Sequence, residues 1–203
     1  MIKKIVFATG NEGKMKEIRA IMADMKCEIL SQKEAGIVAD IDENGTTFEE
    51  NAVIKAKAIA DILTKRGEKA IVLADDSGLE IDYLNKEPGI YSARNMGEDT
   101  SYDVKNANLI ERLQGVEDAK RTARFVCAVA AVMPDGQVLT TVATMEGRIG
   151  YEIKGENGFG YDPIFILEEY NCTTAELDME RKNAASHRGK ALRAMKKKLE
   201  IAL

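Results

Sequence analysis

Ala74-Asp75-Asp76-Ser77-Gly78 sets two adjacent carboxylates at the end of an apolar run. Neighbouring acids beside buried residues are costly unless they are paired or bind a metal. In a strand their side chains point to opposite faces, so one can take a metal while the other bonds the scaffold. A plain Asx turn closing the strand is the competing reading. Thr9-Gly10-Asn11-Glu12-Gly13-Lys14 follows another apolar run. A tight turn between strand and helix presents backbone N–H groups that can seat a phosphate. Lys14 would oppose the helix dipole there, so it needs a reason; a capped turn with a solvated lysine is the alternative. The spacing is not that of a Walker A loop. Asp40, Asp42 and Glu43 form an acidic cluster that is either solvated or a source of a second metal ligand. Gly155-Glu156-Asn157-Gly158-Phe159-Gly160-Tyr161-Asp162-Pro163 surrounds an aromatic ring with glycines, which suits stacking on a flat ligand. Lys182 and then Ser186-His187-Arg188-Gly189 place cations near a helix start, which makes sense if they face an acceptor-rich ligand; an exposed helix start is the competing reading.

The elements that must position these groups follow from periodicity. Ile2 to Thr9 reads as a strand and Met15, Ile18, Met22 and Met25 as one helix face. Thr46 with Glu49 and Thr47 with Glu50 make two overlapping capping boxes. The helix behind them buries Phe48, Ala52, Ala56, Ile59 and Leu63, with Asn51 and Lys55 on a different face. Ala70 to Ala74 is a second strand, ended by Asp75; Leu79, Ile81 and Tyr83 suggest a further one. Asp99 to Leu113 is helical, and Arg121 to Met133 and Val138 to Ile149 form two strands about a Pro134-Asp135-Gly136 turn. Ile164 to Leu167 is a short strand, and a last helix begins near Ser186 and buries Leu192, Met195, Leu199 and Ala202. A mixed sheet flanked by helices is the expected α/β result.

Composition narrows the function classes. The 203 residues, 45% hydrophobic and 31% charged, are expected to form a single domain, 1–203. Three separated cysteines and one histidine nearly exclude a zinc site. Any metal should be hard and carboxylate-bound, Mg²⁺ or Mn²⁺. No apolar run reaches membrane-spanning length, and no signal peptide is visible, so a reducing cytoplasm is expected. A net charge of −5 and a pI of about 5.2 argue against nucleic-acid binding.

Together the motifs TGNEGK (9–14), TFEENAVIKA (47–56), ADDSGLEID (74–82), PGIYSAR (88–94), GFGYDPIF (158–165) and SHRGKAL (186–192) resemble the inosine/xanthosine triphosphate pyrophosphatase family of house-cleaning nucleotidases. The resemblance runs through essentially the whole chain. It implies an elongated α/β fold with a mixed twisted sheet, two lobes around a central substrate cleft, a homodimer, Mg²⁺, and hydrolysis of non-standard purine triphosphates to the monophosphate and pyrophosphate. It implies roles by position. Thr9, Gly10, Asn11, Glu12, Gly13 and Lys14 would hold the triphosphate with Lys55. Asp76 would be the catalytic carboxylate and a metal ligand, and Asp42 the second acidic metal position, with Glu43 close enough to be confused with it. Ser77 would touch substrate; Phe159, Gly160, Tyr161 and Asp162 would wall the base; Lys182, His187 and Arg188 would read its edge. Inosine and xanthosine triphosphates carry a 6-keto acceptor that suits donor-only Lys182 and Arg188, whereas adenine offers a 6-amino donor. A pyrophosphatase for other modified or pyrimidine triphosphates, and a non-catalytic nucleotide sensor, are the competing expectations.

Overall fold

Ile5 to Ala8 are apolar because β1 (Lys4–Phe7) is buried on both faces, paired in parallel with β2 (Glu28–Ser31) and β3 (Ile71–Ile81). The computed structural model describes residues 4–202; Ile2 and Lys3, which the first expected strand included, lie outside the described residues. Between β1 and β2 runs α1 (Glu12–Ile21), capped by Asn11, and between β2 and β3 runs α2 (Phe48–Lys65). The chain continues through α3 (Tyr102–Arg112), β4 (Thr122–Val132), β5 (Val138–Ile149), β6 (Phe165–Leu167), β7 (Cys172–Thr173), α4 (Met179–Ala185) and α5 (His187–Ala202). Among the described residues the strands form one sheet in the order β2-β1-β3-β4-β5-β6-β7. β5–β6 and β6–β7 are antiparallel, so the sheet is mixed, as expected.

The chain divides into two compact units. Unit 1 comprises residues 1–76, 127–143 and 188–203; unit 2 comprises 77–126 and 144–187. Unit 1 has its own core, in which Ile18 of α1 and Met22 at its C-terminal cap meet Phe7, Ile71, Leu73, Leu192, Met195 and Leu199. Unit 2 has another, built from Leu79, Ile81, Leu109, Leu113, Phe125, Ile149, Tyr161 and Phe165. Each buried large aliphatic side chain contributes roughly 1.5–3 kcal/mol over its exposed state, so each core is a substantial source of local order.

Several expectations change in detail. β3 is continuous through Asp75, Asp76 and Ser77 instead of ending there, because Ala74, Leu79 and Ile81 remain buried on either side of the acids. Glu50, not Glu49, serves Thr46: its carboxylate accepts from the Thr46 N–H and hydroxyl at 2.7 and 2.8 Å, while the Thr47 hydroxyl accepts from the Glu50 N–H. Ala202 is exposed, and Ala191 takes a buried place on α5 instead. β2, β7 and α4 had not been expected. Cys27, Cys127 and Cys172 are all free thiols.

Candidate active site

In unit 1 the strand period puts Asp75 and Asp76 among different partners. Asp75 is fully buried; its carboxylate lies 3.1 Å from Lys14 Nζ and 3.2 Å from Arg188 Nε. Burial alone would raise its pKa, but Lys14, then Arg188 and Lys55, outweigh that and hold it well below the ordinary carboxylate value. Lys14 is thereby explained: its charge, unfavourable at a helix N-terminus, is answered by Asp75. The turn that carries it is a cap. Asn11 Oδ1 accepts from the Lys14 N–H at 3.0 Å and Thr9 Oγ1 from the Asn11 N–H at 3.1 Å, leaving Gly10 to Gly13 exposed.

Asp76 faces α2. Asn51 Nδ2 donates to its carboxylate at 3.1 Å, and Lys55, one turn on, brings Nζ to 3.6 Å. The same ammonium is 2.8 Å from Glu43. Burial raises the Asp76 carboxyl above its ordinary value, against the pull of Lys55 and the Asn51 amide. Burial opposes the Lys55 charge, but Asp76, Asp75 and Glu43 together raise its pKa. Lys14, Lys55, Asp75 and Asp76 therefore form one electrostatic cluster. Of the two acids considered for the second acidic position, Glu43 is the one brought to Lys55, while Asp42 is exposed.

Arg188 goes to a different place from its neighbour His187. Only 3% exposed, it ion-pairs with Glu17 of α1 as well as Asp75. The buried chain is thus Glu17–Arg188–Asp75–Lys14, and the expected edge-reading group is anchored by two carboxylates. Glu17 had no sequence signal beyond a polar residue on α1; its partner lies at the far end of the chain.

In unit 2, Gly158 and Gly160 take φ of +77° and +72°, a region open to glycine. The half-buried Phe159 stands between them. Its N–H donates to Asp162 Oδ2 at 2.8 Å, and Lys182 Nζ donates to the same oxygen at 2.7 Å. Lys182 Nζ also lies 5.1 Å from the Phe159 ring centroid, a cation–π contact. Thr174, which sequence reasoning missed, donates its hydroxyl to Asp162 Oδ1 at 2.8 Å. Tyr161 is buried and donates to the Ser92 carbonyl at 2.8 Å; it anchors the loop while Phe159 is presented. His187 stacks on Phe125 at 4.9 Å with an interplanar angle of 10°, and Ser77 is half-buried on β3.

The Ham1 family model matches residues 5–198. The chain belongs to the Ham1 family. It is 46% identical over 200 residues to a dITP/XTP pyrophosphatase of Clostridium perfringens, covering 98% of each chain. It is 43% identical to a dITP/XTP pyrophosphatase of Bacillus subtilis over 200 residues, covering 98% of each. The solved Ham1 protein of Staphylococcus aureus superposes with a TM-score of 0.86 at 39% identity, over 99% of this chain and all of that one. Among the described residues no helix is long and apolar enough to cross a membrane.

Proposed function

We propose that this Ham1-family protein hydrolyses the triphosphates of deaminated purine nucleosides (ITP, dITP and XTP) to the monophosphate and pyrophosphate. The observation that carries the reading is the split between two adjacent acids: Asp75 is neutralised by Lys14 and Arg188, while the Asp76 carboxyl is raised by burial beside Lys55. The names of the close relatives support the same reaction.

The residues fit a hard divalent cation. Among the described residues no group of three or more His, Cys, Asp or Glu side chains gathers into an all-protein cage. Mg²⁺ needs none, since one or two carboxylates suffice when substrate oxygens and waters complete the shell. Asp76 and Glu43, both drawn to the Lys55 ammonium, are such a pair; Mn²⁺ is the expected substitute. When bound, the cation would neutralise charge on the phosphate oxygens.

The chain's own groups supply the rest. Exposed Gly10, Glu12 and Gly13 offer backbone N–H groups to the triphosphate, Lys14 an ammonium and Lys55 a second one, while the Thr9, Asn11 and Lys14 N–H groups are used within the turn. Asp76 accepts a proton from the attacking water as the water oxygen bonds to the α-phosphorus. The bond from the α-phosphorus to the bridging oxygen breaks, and pyrophosphate leaves with the electron pair, its charge answered by Lys14 and Lys55. In unit 2, Phe159 offers a face to the purine, and Lys182 offers only donors, which suit a 6-keto oxygen and leave a 6-amino group unmatched. We also propose a cytoplasmic homodimer without nucleic-acid or membrane partners.

The test is pyrophosphate release from inosine, deoxyinosine, xanthosine, guanosine and adenosine triphosphates, with and without Mg²⁺. Pyrophosphate from the first three, dependent on the metal, is the expected result. Orthophosphate as the product, or equal rates on adenosine triphosphate, would overturn the reading.

A further inference from the structure

The base-facing loop is built on two glycines with left-handed φ, and Asp162 holds the Phe159 N–H from within it. Further bonds come from elsewhere in unit 2, and one of them is unexpected. On α3, Asn106 is 1% exposed and donates Nδ2 to the Gly160 carbonyl at 3.1 Å. Its Oδ1 is buried and accepts from no group among the described residues. On the same helix Tyr102 packs edge-on against Tyr161 at 5.3 Å, and buried Lys105 donates to the Ala93 carbonyl at 2.7 Å. Tyr161 in turn bonds the Ser92 carbonyl. One face of α3 therefore holds both the 158–162 loop and the 88–94 segment.

As a stabilising device Asn106 is poor. A buried amide that leaves its acceptor unsatisfied gives back what its one donated bond contributes; an apolar side chain of the same shape would remove the orphaned acceptor but leave the Gly160 carbonyl without its donor. What the amide does that a leucine cannot is fix the Gly160 carbonyl, and with it the peptide following the Phe159 shelf.

We propose that Asn106 is a positioning residue for base discrimination, setting the geometry of the Phe159–Lys182 surface through Gly160. This rests on the reading of Phe159 and Lys182 as the base-contacting groups. Asn106→Leu removes the donor and keeps the bulk; Asn106→Asp keeps the shape but turns an acceptor toward the carbonyl. Asn106→Leu leaves the Gly160 carbonyl without its donor and should lower the melting temperature by about 2–12 °C; Asn106→Asp, which buries a carboxylate beside that oxygen, should lower it further. Both should raise KM for inosine triphosphate about tenfold, a change of about 1.4 kcal/mol, with kcat little altered. The preference for inosine over adenosine triphosphate should narrow. Calorimetry should show inosine monophosphate binding weakened by a similar factor, whereas inhibition by tripolyphosphate, which carries no base, should be unchanged.

The proposal is overturned if both variants keep KM, base preference and inosine monophosphate affinity. It is equally overturned if tripolyphosphate inhibition falls in step with inosine monophosphate affinity, since that is what general loosening would do. A wild-type protein that binds inosine monophosphate but releases no pyrophosphate would sink the proposed reaction while leaving Asn106 to be judged by affinity alone. A wild-type protein that binds no nucleotide would sink both.

Discussion

Asp75 and Asp76 are identical in covalent chemistry and differ only in which face of β3 each occupies. That difference assigns their work. Asp76→Asn keeps the size and the Asn51 contact but loses the proton acceptor; pyrophosphate release should fall about 10²–10⁴-fold, the usual worth of general base catalysis, with inosine monophosphate affinity, by calorimetry, within a few-fold. Asp75 should show itself in stability instead. Its folded pKa is depressed, with Lys14 and then Arg188 overcoming the effect of burial. Its contribution is therefore complete above the ordinary aspartate pKa of about 4 and drains away as pH falls toward the depressed folded value. Melting temperature followed from pH 6 to pH 3 should drop more steeply in the wild type than in Asp75→Asn; parallel curves would remove Asp75 from the acid response. Glu17→Leu takes one of two carboxylates from buried Arg188, a loss of about 3 kcal/mol, read as a fall in melting temperature of roughly 6–12 °C. At this scale Lys14, Lys55 and Asp76 were candidates from the sequence because each sits in a compact motif, and Lys182 because it shortly precedes one. Glu17 and Asn106 were not: a polar residue on a helix announces nothing until its partner, 171 positions away for Glu17 and 54 for Asn106, is placed beside it.

At the scale of elements, periodicity carried most of the information. Phe48, Ala52, Ala56, Ile59 and Leu63 are all buried on α2, and β5 has the limits its alternation and turn suggest. The elements missed are short. β2 has 4 residues and β7 has 2, and such segments hold too few positions for a period to show. α4, with 7 residues, gives about two turns and no broad apolar face. The continuity of β3 was hidden for another reason: Asp-Asp-Ser-Gly is turn chemistry by composition, and only Lys14, Arg188, Asn51 and Lys55 make it tolerable within a buried strand. The start of α2 offers a clean test. The Thr47 hydroxyl accepts from the Glu50 N–H at 3.1 Å, so Thr47→Ala should cost about 1 kcal/mol and lower the melting temperature by roughly 2–4 °C. An unchanged melting temperature would mean that Glu50, through Thr46, caps the helix alone.

For the molecule as a whole, the proposed function gives the two units different tasks. Unit 1 carries Lys14, Lys55 and Asp76, whose charges suit phosphate and water; unit 2 carries Phe159, Asp162 and Lys182, whose ring and donors suit a purine edge. If each unit acts on its own part of the substrate, substitutions in the two should leave different kinetic signatures. Lys14→Ala removes an interaction with the triphosphate, which every nucleotide substrate shares; kcat/KM for inosine and adenosine triphosphates should fall by the same factor, their ratio unchanged. Lys182→Ala removes a donor that suits a 6-keto oxygen and not a 6-amino group. A buried donor left unmatched costs about 1–3 kcal/mol, so removing it should relieve the penalty against adenine and narrow the inosine-to-adenosine ratio by roughly 5- to 150-fold. Rates for both substrates, measured side by side for the two variants, decide the matter. A ratio that moves equally in Lys14→Ala and Lys182→Ala would mean that phosphate and base are read by one coupled device, and the assignment of separate tasks to the two units would have to be given up.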